Sequence, residues 1–377
     1  MRKFLVVVGI IAVFLCSGAF AADEVRIGIV LPISGQAAMY GAYCKTGIEL
    51  ALKELAPDNT ITVGGKKLPL TIIYEDNENK PEITANAYRK LIDQDEVTAI
   101  IGPESSSTAL AGAPIAQSSG IPVVTIFPTN PKVTQVGDYI FRACFIDPFQ
   151  GAVMAKYAYN DLKVTKAAVL YNNGNDFSKG LTEFFTKTFA ELGGKVVITE
   201  AYGGSDIRDF NAQFNNIKAS DAQVLFMPNT YFESGLQMQQ ARSAGITLPL
   251  IGGDGWDTPD LVTISNGSEE GAAYSCAFSH EATTPQAQKF VQAYRAAYND
   301  VPNSNAVLSY ESLSIVYRAI EAAGSLDGAA IRDAIAKTKL ELPSGVIEFD
   351  SDRNPKKPAV IVMYKGGKTS YVTTVNP

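Results

Sequence analysis

The feature that most constrains the fold is an alternation of strand and helix patterns, which runs through the chain twice. Val25, Ile27, Ile29 and Leu31 repeat at every second residue, which is the period of a β-strand, and apolar residues at helical spacing follow over 48–55. Further apolar strand segments of this half lie at residues 68–75, 97–101 and 121–127, with a helix pattern over 82–93. Strands that alternate with helices predict a parallel sheet covered on both faces.

The same pattern begins again near Lys166. Apolar strand segments lie at residues 167–171, 195–201, 224–228 and 248–251, with helix patterns between them. The spacing of apolar residues over 284–339 is mostly helical, and the pattern over 345–375 indicates short strands. No low-complexity linker separates the halves, so we predict an α/β protein of two doubly wound parallel-sheet lobes. Such lobes bind ligands in the crevice beyond the carboxyl ends of their strands.

The N-terminus has the pattern of an export signal. Arg2 and Lys3 precede an apolar run over 4–15, and small residues then lead to Ala19-Phe20-Ala21. A charged start, a short apolar core and an A-x-A end predict a signal peptide over 1–21, cleaved after Ala21. A membrane anchor is the alternative, but a spanning helix needs about 20 apolar residues.

Composition and motifs argue against several classes of protein. The chain has 32 basic and 39 acidic residues with no block of like charge, so nucleic acid is not an expected partner. His280 is the only histidine, which excludes sites with two imidazole ligands, and the four cysteines form no C-x-x-C pair. The chain also lacks the glycine-rich nucleotide motifs and the G-x-S-x-G motif of hydrolases. We therefore expect no metal, no cofactor and no enzymatic activity.

Three cysteines remain after the predicted cleavage: Cys44, Cys144 and Cys276. An odd number leaves at least one free thiol in an oxidising compartment. Cys44 falls on the apolar stripe of a predicted helix, where a buried thiol behaves as a small hydrophobic group. We expect structural thiols and no essential disulfide.

Hydroxyl groups cluster at two predicted strand ends of the first half. The serines at 105–107 and Thr108 begin a helix directly after the strand at 97–101. Free N–H groups and the positive end of the helix dipole favour an anion there, although simple N-capping by Ser105 or Ser106 explains the same pattern. Thr129 follows the neighbouring strand, so we expect it beside these serines, where together they would form a carboxylate pocket.

An acid occupies the corresponding place in the second half. Asp254 lies between Gly253 and Gly255, just after the strand at 248–251. It could accept hydrogen bonds from an ammonium group in the crevice, or it could cap the following turn. A carboxylate pocket on one lobe that faces an acid on the other would fit an α-amino acid.

Six short motifs, in order and at characteristic spacing, carry a family resemblance. They are Pro32-Ile33-Ser34-Gly35 through Tyr40-Gly41, residues 101–107, Thr129-Asn130-Pro131, residues 176–180, residues 240–245 and Gly253-Asp254-Gly255. Over essentially the whole mature chain the sequence resembles the type I periplasmic binding proteins, specifically the branched-chain amino-acid receptors of ABC importers. The resemblance implies two lobes, 22–146 with 279–350 and 147–278 with 351–377. Three crossovers would lie near 145–147, 277–280 and 348–354.

The resemblance also implies roles for individual residues. The serine that holds the ligand carboxylate corresponds to Ser105 or Ser106, and its threonine partner corresponds to Thr129. The carbonyl of Phe127 and the carboxylate of Asp254 would receive the ammonium group, although close relatives often have glutamate at the latter position.

Aromatic residues would line the side-chain pocket. Tyr40 is the candidate from the first lobe, and Tyr231 and Trp256 are candidates from the second. Phe177 stands where relatives commonly have tyrosine, which leaves the identity of the ligand side chain open.

The function implied by the resemblance is capture of a small apolar amino acid, such as leucine, isoleucine or valine, in the periplasm. The two lobes would close on the ligand, and a monomeric protein would deliver it to an inner-membrane ABC permease. The alternatives are a receptor for an amide, a urea or an aromatic carboxylate, and a ligand-sensing regulatory protein of the same fold.

Overall fold

A computed structural model of the chain describes residues 24–204 and 206–377. The predicted signal peptide over 1–21 lies outside the described residues. Within those ranges, no helix has both the length and the apolar character needed to cross a bilayer.

The first sheet has strand order β2-β3-β1-β4-β5-β6 and is parallel except at one edge. Its strands are β1 Val25–Leu31, β2 Thr60–Val63, β3 Lys66–Asp76, β4 Ala99–Ile101, β5 Val123–Thr125 and β6 Ile140–Arg142. Every residue of the central strands β4 and β5 is buried, as expected where helices cover both faces of a parallel sheet. Only β2 runs antiparallel to its neighbour, β3.

The second sheet has strand order β15-β14-β11-β10-β9-β7-β8. Its strands are β7 Lys166–Asn172, β8 Lys195–Tyr202, β9 Val224–Phe226, β10 Leu250–Gly252, β11 Ala273–Cys276, β14 Ala359–Lys365 and β15 Lys368–Val375. The strands from β11 to β8 are parallel, whereas β14 pairs antiparallel with both β11 and β15. A separate antiparallel hairpin joins β12 Lys339–Leu342 to β13 Gly345–Glu348.

Twelve α-helices connect or cover these strands in the described part of the chain. They are α1 Ala38–Leu55, α2 Pro81–Asp93, α3 Ser106–Ser119, α4 Lys132–Gln135, α5 Asp147–Lys156, α6 Asp176–Glu191, α7 Asn211–Ala219, α8 Tyr231–Ser243, α9 Asp260–Ser265, α10 Pro285–Tyr298, α11 Ser304–Ala323 and α12 Gly328–Ala336.

The fold prediction is confirmed, with one correction at the sheet edges. Both main sheets are mostly parallel and helix-covered, and the chain passes between them three times: after β6, after β11 and before β14. The antiparallel edges were not predicted. The turns Gly64-Gly65 and Gly366-Gly367 join β2 to β3 and β14 to β15, and all four glycines have positive φ. Two-residue turns of this kind produce hairpins. The exact lobe boundaries stay a prediction.

Helix α11 comes late in the chain but belongs to the first sheet. It packs along α1, and it also contacts β2, β4 and β5. The two helices lie so close at Gly47 that a Cβ atom there would be 2.0 Å from the carbonyl oxygen of Ala306. Most of α11 is buried as a result.

Candidate functional site

A small cavity lies between the two sheets, at the carboxyl ends of β4, β5 and β10. Its walls come from both sides of the crevice and consist of Tyr40, Asn79, Glu104, Ser105, Ser106, Phe127, Asn175, Phe177, Thr230, Asp254 and Gly255. The structure therefore brings six of the nine sequence-predicted site residues to one cavity wall.

The N-terminus of α3 faces this cavity. Gly102 makes the turn after β4: its φ is +98°, and a Cβ there would lie 2.2 Å from the carbonyl oxygen of Val30. The backbone N–H groups of Ser106, Ser107 and Thr108 have no acceptor among the described residues. These free donors, together with the helix dipole, form a place for an anion.

The two candidate serines differ in what their hydroxyl groups already contact. The Ser105 hydroxyl donates to Oδ1 of Asn79 at 2.6 Å and also pairs with the Thr108 hydroxyl at 2.8 Å. The Ser106 oxygen accepts from the backbone N–H of Asn130 at 3.3 Å, so its own proton is free to donate. The geometry therefore favours Ser106 over Ser105 as a donor to a ligand.

Thr129 is not on the cavity wall, contrary to expectation. It is fully buried, and its hydroxyl lies beside the carboxyl group of Asp147. Burial raises the pKa of Asp147 to about 7, although Thr129 and the charge of Arg142 oppose that shift. Thr129 follows β5 as predicted, but its side chain faces the start of α5 and not the cavity.

Sequence reasoning missed Arg142, which holds the loop that follows β5. Its guanidinium donates to the carbonyl oxygens of Pro128 and Asn130, the latter at 2.9 Å, and to the Thr134 hydroxyl at 3.2 Å. The side chain is fully buried, and burial lowers its pKa. An arginine at the end of the apolar strand β6 was the available signal, because a buried arginine must find acceptors.

Asp254 lies on the opposite side of the cavity from α3. It begins a short 3₁₀ turn, Asp254–Trp256, directly after β10 and is only 1% exposed. Neither of its carboxylate oxygens accepts a hydrogen bond from the described residues. Burial raises the pKa of Asp254 well above its usual range, and the nearby charges of Asp147 and Glu104 add to the rise while Gln150 opposes it. The acid thus lacks the partner that a buried carboxylate needs.

Glu104 is a second cavity acid, which the sequence analysis did not select as a site residue. It precedes the N-cap of α3, is 5% exposed and has no hydrogen-bond partner for its Oε2 atom among the described residues. Burial raises the pKa of Glu104 to about 8. Its place directly before the serine cluster was a signal that could have identified it.

The aromatic candidates divide between the cavity and the protein core. Tyr40 and Phe177 line the cavity, and Tyr231 lines its wider outer part. Trp256 does not: it is fully buried, and its indole N–H donates to the carbonyl oxygen of Met227 at 3.1 Å. The 3₁₀ turn directs this side chain into the hydrophobic core around the second sheet, so the prediction that it lines the pocket is wrong.

Hydrogen bonds join the two sides of the cleft. The Tyr40 hydroxyl donates to the carbonyl oxygen of Gly255 and accepts from the backbone N–H of Tyr231 at 3.1 Å. The Ser107 hydroxyl donates to a carboxylate oxygen of Asp176, and its oxygen accepts from the Asp176 N–H, both at 3.0 Å. The cleft is therefore in a closed arrangement.

The chemistry of the cavity is that of recognition. It combines a positive helix end, hydroxyl donors, two buried acids and aromatic rings. Over the described ranges, no three His, Cys, Asp or Glu side chains are grouped so that they could hold a metal ion. Cys44, Cys144 and Cys276 are all free and buried.

Comparison with known proteins agrees with the fold. The sequence profile of the family described as "Periplasmic binding protein" matches residues 24–368. A leucine-, isoleucine-, valine-, threonine- and alanine-binding protein from Pseudomonas aeruginosa is 26% identical over 89% of this chain and 88% of its own length.

Two solved structures are similar over nearly their whole length. The leucine-binding protein LivK from Thermotoga maritima has a TM-score of 0.88 and 34% identity, covering 94% of this chain and 99% of its own. The branched-chain amino-acid transporter substrate-binding protein LivJ from Streptococcus pneumoniae, in complex with isoleucine, has a TM-score of 0.87 and 28% identity, covering 94% of this chain and 100% of its own. With a profile match over most of its length and these relatives, the chain belongs to the periplasmic binding protein family.

Proposed function

We propose that this protein captures a small α-amino acid of the branched-chain type and delivers it to an ABC permease, without catalysing a reaction. The observation that supports this most is the pairing, across one small cavity, of a free helix N-terminus with an unpartnered buried acid. One site favours an anion and the other a cation. An α-amino acid carries both charges, on two groups that are bonded to the same carbon atom.

In this proposal each end of the ligand is held by a different side of the cleft. The carboxylate accepts from the N–H groups at the start of α3 and from the Ser106 hydroxyl. The ammonium group donates to Asp254 and to the carbonyl oxygen of Phe127, which accepts no hydrogen bond from the described residues. Ligand binding through both ends favours the closed cleft, as hinge closure requires.

The relatives support the same ligand class. Their names record binding of leucine, isoleucine, valine, threonine and alanine, and the LivJ structure contains isoleucine.

We extend the proposal to a monomeric protein in the periplasm, exported with cleavage after Ala21. Ser105, Phe177 and Tyr231 complete the proposed site at the edges of the cavity.

Replacement of Asp254 tests the ammonium half of the proposal. Asp254→Asn keeps the size and removes the charge, and loss of one partner of a buried charge pair costs about 2–5 kcal/mol. We expect the affinity for valine, leucine or isoleucine to fall about 30-fold or more, as measured by calorimetric titration. Asp254→Glu serves as the control and should lose less.

Replacement of the serines tests the carboxylate half in the same assay. Each hydrogen bond to a charged group contributes about 1.5–3 kcal/mol, so Ser106→Ala should weaken binding about tenfold or more. Ser105→Ala should lose less, because the Ser105 hydroxyl already pairs with Asn79 and Thr108.

A deaminated analogue of the best ligand provides the decisive comparison. If the wild-type protein binds 2-hydroxyisovalerate or isovalerate as tightly as valine, Asp254 does not receive an ammonium group. The protein would then be a receptor for a carboxylate or an amide.

A further inference from the structure

We infer that Glu104 makes this site prefer a small side chain that carries a hydrogen-bonding hydroxyl over an aliphatic side chain of the same shape. The inference rests on the proposed function, because it concerns the third substituent of a bound α-amino acid. For two ligands of equal size, it predicts that threonine binds more tightly than valine.

The position of Glu104 carries the argument. It lines the same cavity as Ser106, Phe127 and Asp254 and is almost completely buried there. Its Oε2 atom has no hydrogen-bond partner from residues 24–204 or 206–377. A buried oxygen of this kind is unfavourable unless something else in the cavity contacts it.

The groups common to all α-amino acids do not satisfy this oxygen. The ligand carboxylate is an acceptor and is provided for by the start of α3. The ammonium group has three N–H donors, and Asp254 alone offers two unpartnered oxygens in addition to the free carbonyl of Phe127. A ligand with an aliphatic side chain therefore leaves Glu104 without a donor.

The protonation of Glu104 indicates a hydroxyl and not a second cation. Burial raises its pKa to about 8, so near neutral pH the group is mostly an uncharged acid. An uncharged acid both donates and accepts a hydrogen bond, and a hydroxyl group does the same. A second ammonium group on the ligand would need an ionised partner.

The size of the cavity limits the side chain further. The rings of Tyr40 and Phe177 form part of its wall and restrict the space left for the third substituent of the ligand. Threonine and valine fill the same volume and differ only by a hydroxyl in place of a methyl group. They form a matched pair of probes.

The test is calorimetric titration of threonine and valine into three proteins: the wild type, Glu104→Gln and Glu104→Leu. We expect the wild type to bind threonine at least about tenfold more tightly than valine. A site with an unpaired buried polar group discriminates against a ligand that lacks a hydrogen-bonding partner for that group. Glu104→Gln retains a donor and an acceptor and should keep the order. Glu104→Leu should reverse it by binding valine more tightly.

Glu82→Leu, an exposed change on the same lobe, is the matched control and should leave both affinities unchanged. The inference is overturned if wild-type protein binds valine at least as tightly as threonine. It is equally overturned if Glu104→Leu weakens both ligands by the same factor, because Glu104 would then serve the ammonium group. If Glu104→Leu does not fold, the wild-type ratio alone decides.

The proposed function can survive failure of this inference. Valine binding that depends on Asp254 would support an amino-acid receptor, whatever the threonine ratio. Absence of binding by every amino acid tested would overturn both.

Discussion

At the scale of single residues, the main feature is a group of buried acids, two that line the cavity and one at the start of α5. Glu104, Asp147 and Asp254 are all buried, and burial raises the pKa of each. The folded protein therefore holds protons that the unfolded chain releases at the same pH. Acids of this kind stabilise the folded state at low pH and lose that contribution as the pH rises.

Glu104 makes this linkage measurable. Its pKa is about 8 in the folded protein and 4.5 is the ordinary value, so unfolding releases one proton from this group between those limits. The stability of the ligand-free protein should decrease by about 1.4 kcal/mol per pH unit from Glu104 alone over pH 5.5–7. Glu104→Gln should lower the slope by that amount, as measured by urea denaturation at several pH values. Equal slopes in the two proteins would contradict the burial of an unpaired Glu104.

The sequence predicts which residues reach the cavity wall where they come soon after the end of a strand. Ser105, Ser106, Phe127 and Asp254 each follow a strand, and the carboxyl ends of parallel strands meet at one edge of a sheet. Direction of a side chain is harder to predict. Trp256 lies only two residues beyond Asp254, yet the tight turn directs its ring into the core.

At the scale of elements, the contact between α1 and α11 is the closest helix approach described above. A Cβ at Gly47 would lie 2.0 Å from the carbonyl oxygen of Ala306 and 2.3 Å from the Ser309 hydroxyl. Neither the backbone carbonyl nor the buried serine can move without separating the helices. The close packing of α1 against α11 therefore requires a glycine at position 47.

Gly47→Ala should destabilise the protein even though alanine is the better helix former. Helix propensity favours alanine by about 1 kcal/mol, whereas overpacking costs about 1–3 kcal/mol, and the backbone clash favours the upper end. We expect a net loss of stability in urea denaturation. Ala42→Ser, an exposed change on the same helix, is the control and should differ little from the wild type. A Gly47→Ala protein more stable than the wild type would contradict the close approach.

Helices and strands whose apolar residues repeat with a clear period were predicted from the sequence. The position of an element that packs against residues distant in the chain was not. Strand β1 alternates and was predicted with its observed limits. Strand β2 has four residues and depends on a Gly-Gly hairpin, so it was missed. The helical pattern over 284–339 was recognised from spacing, but spacing alone does not show that α11 packs against α1.

At the scale of the whole molecule, hydrogen bonds between its two sides hold the cleft closed. Ser107 on α3 and Asp176 at the start of α6 exchange two hydrogen bonds across it, and the Asn130 amide donates to the Asp176 carbonyl at 3.0 Å. Because the two hydrogen bonds between Ser107 and Asp176 bridge the two sides of the cleft, their stabilising contribution is lost when the two sides separate. Ser107 lines the outer part of the cleft and not the inner cavity.

Ser107→Ala should therefore speed ligand release. Two hydrogen bonds of about 0.5–1.5 kcal/mol each would be lost from the closed state, so we expect dissociation about tenfold faster in stopped-flow measurements. Ser118→Ala is the matched control, since that hydroxyl is exposed on the same helix and donates only to the carbonyl of Ile115. An unchanged dissociation rate for Ser107→Ala would mean that these contacts do not limit opening.

The position of α11 in the chain also fixes when the first sheet can be completed. A ribosome makes β2, β4 and β5 early, but α11, the helix that covers them, ends only at Ala323. Until α11 has been made, the apolar surface of α1 and of these strands that packs against it stays exposed. The first half of the protein therefore cannot complete its core until the ribosome has made much of the second half.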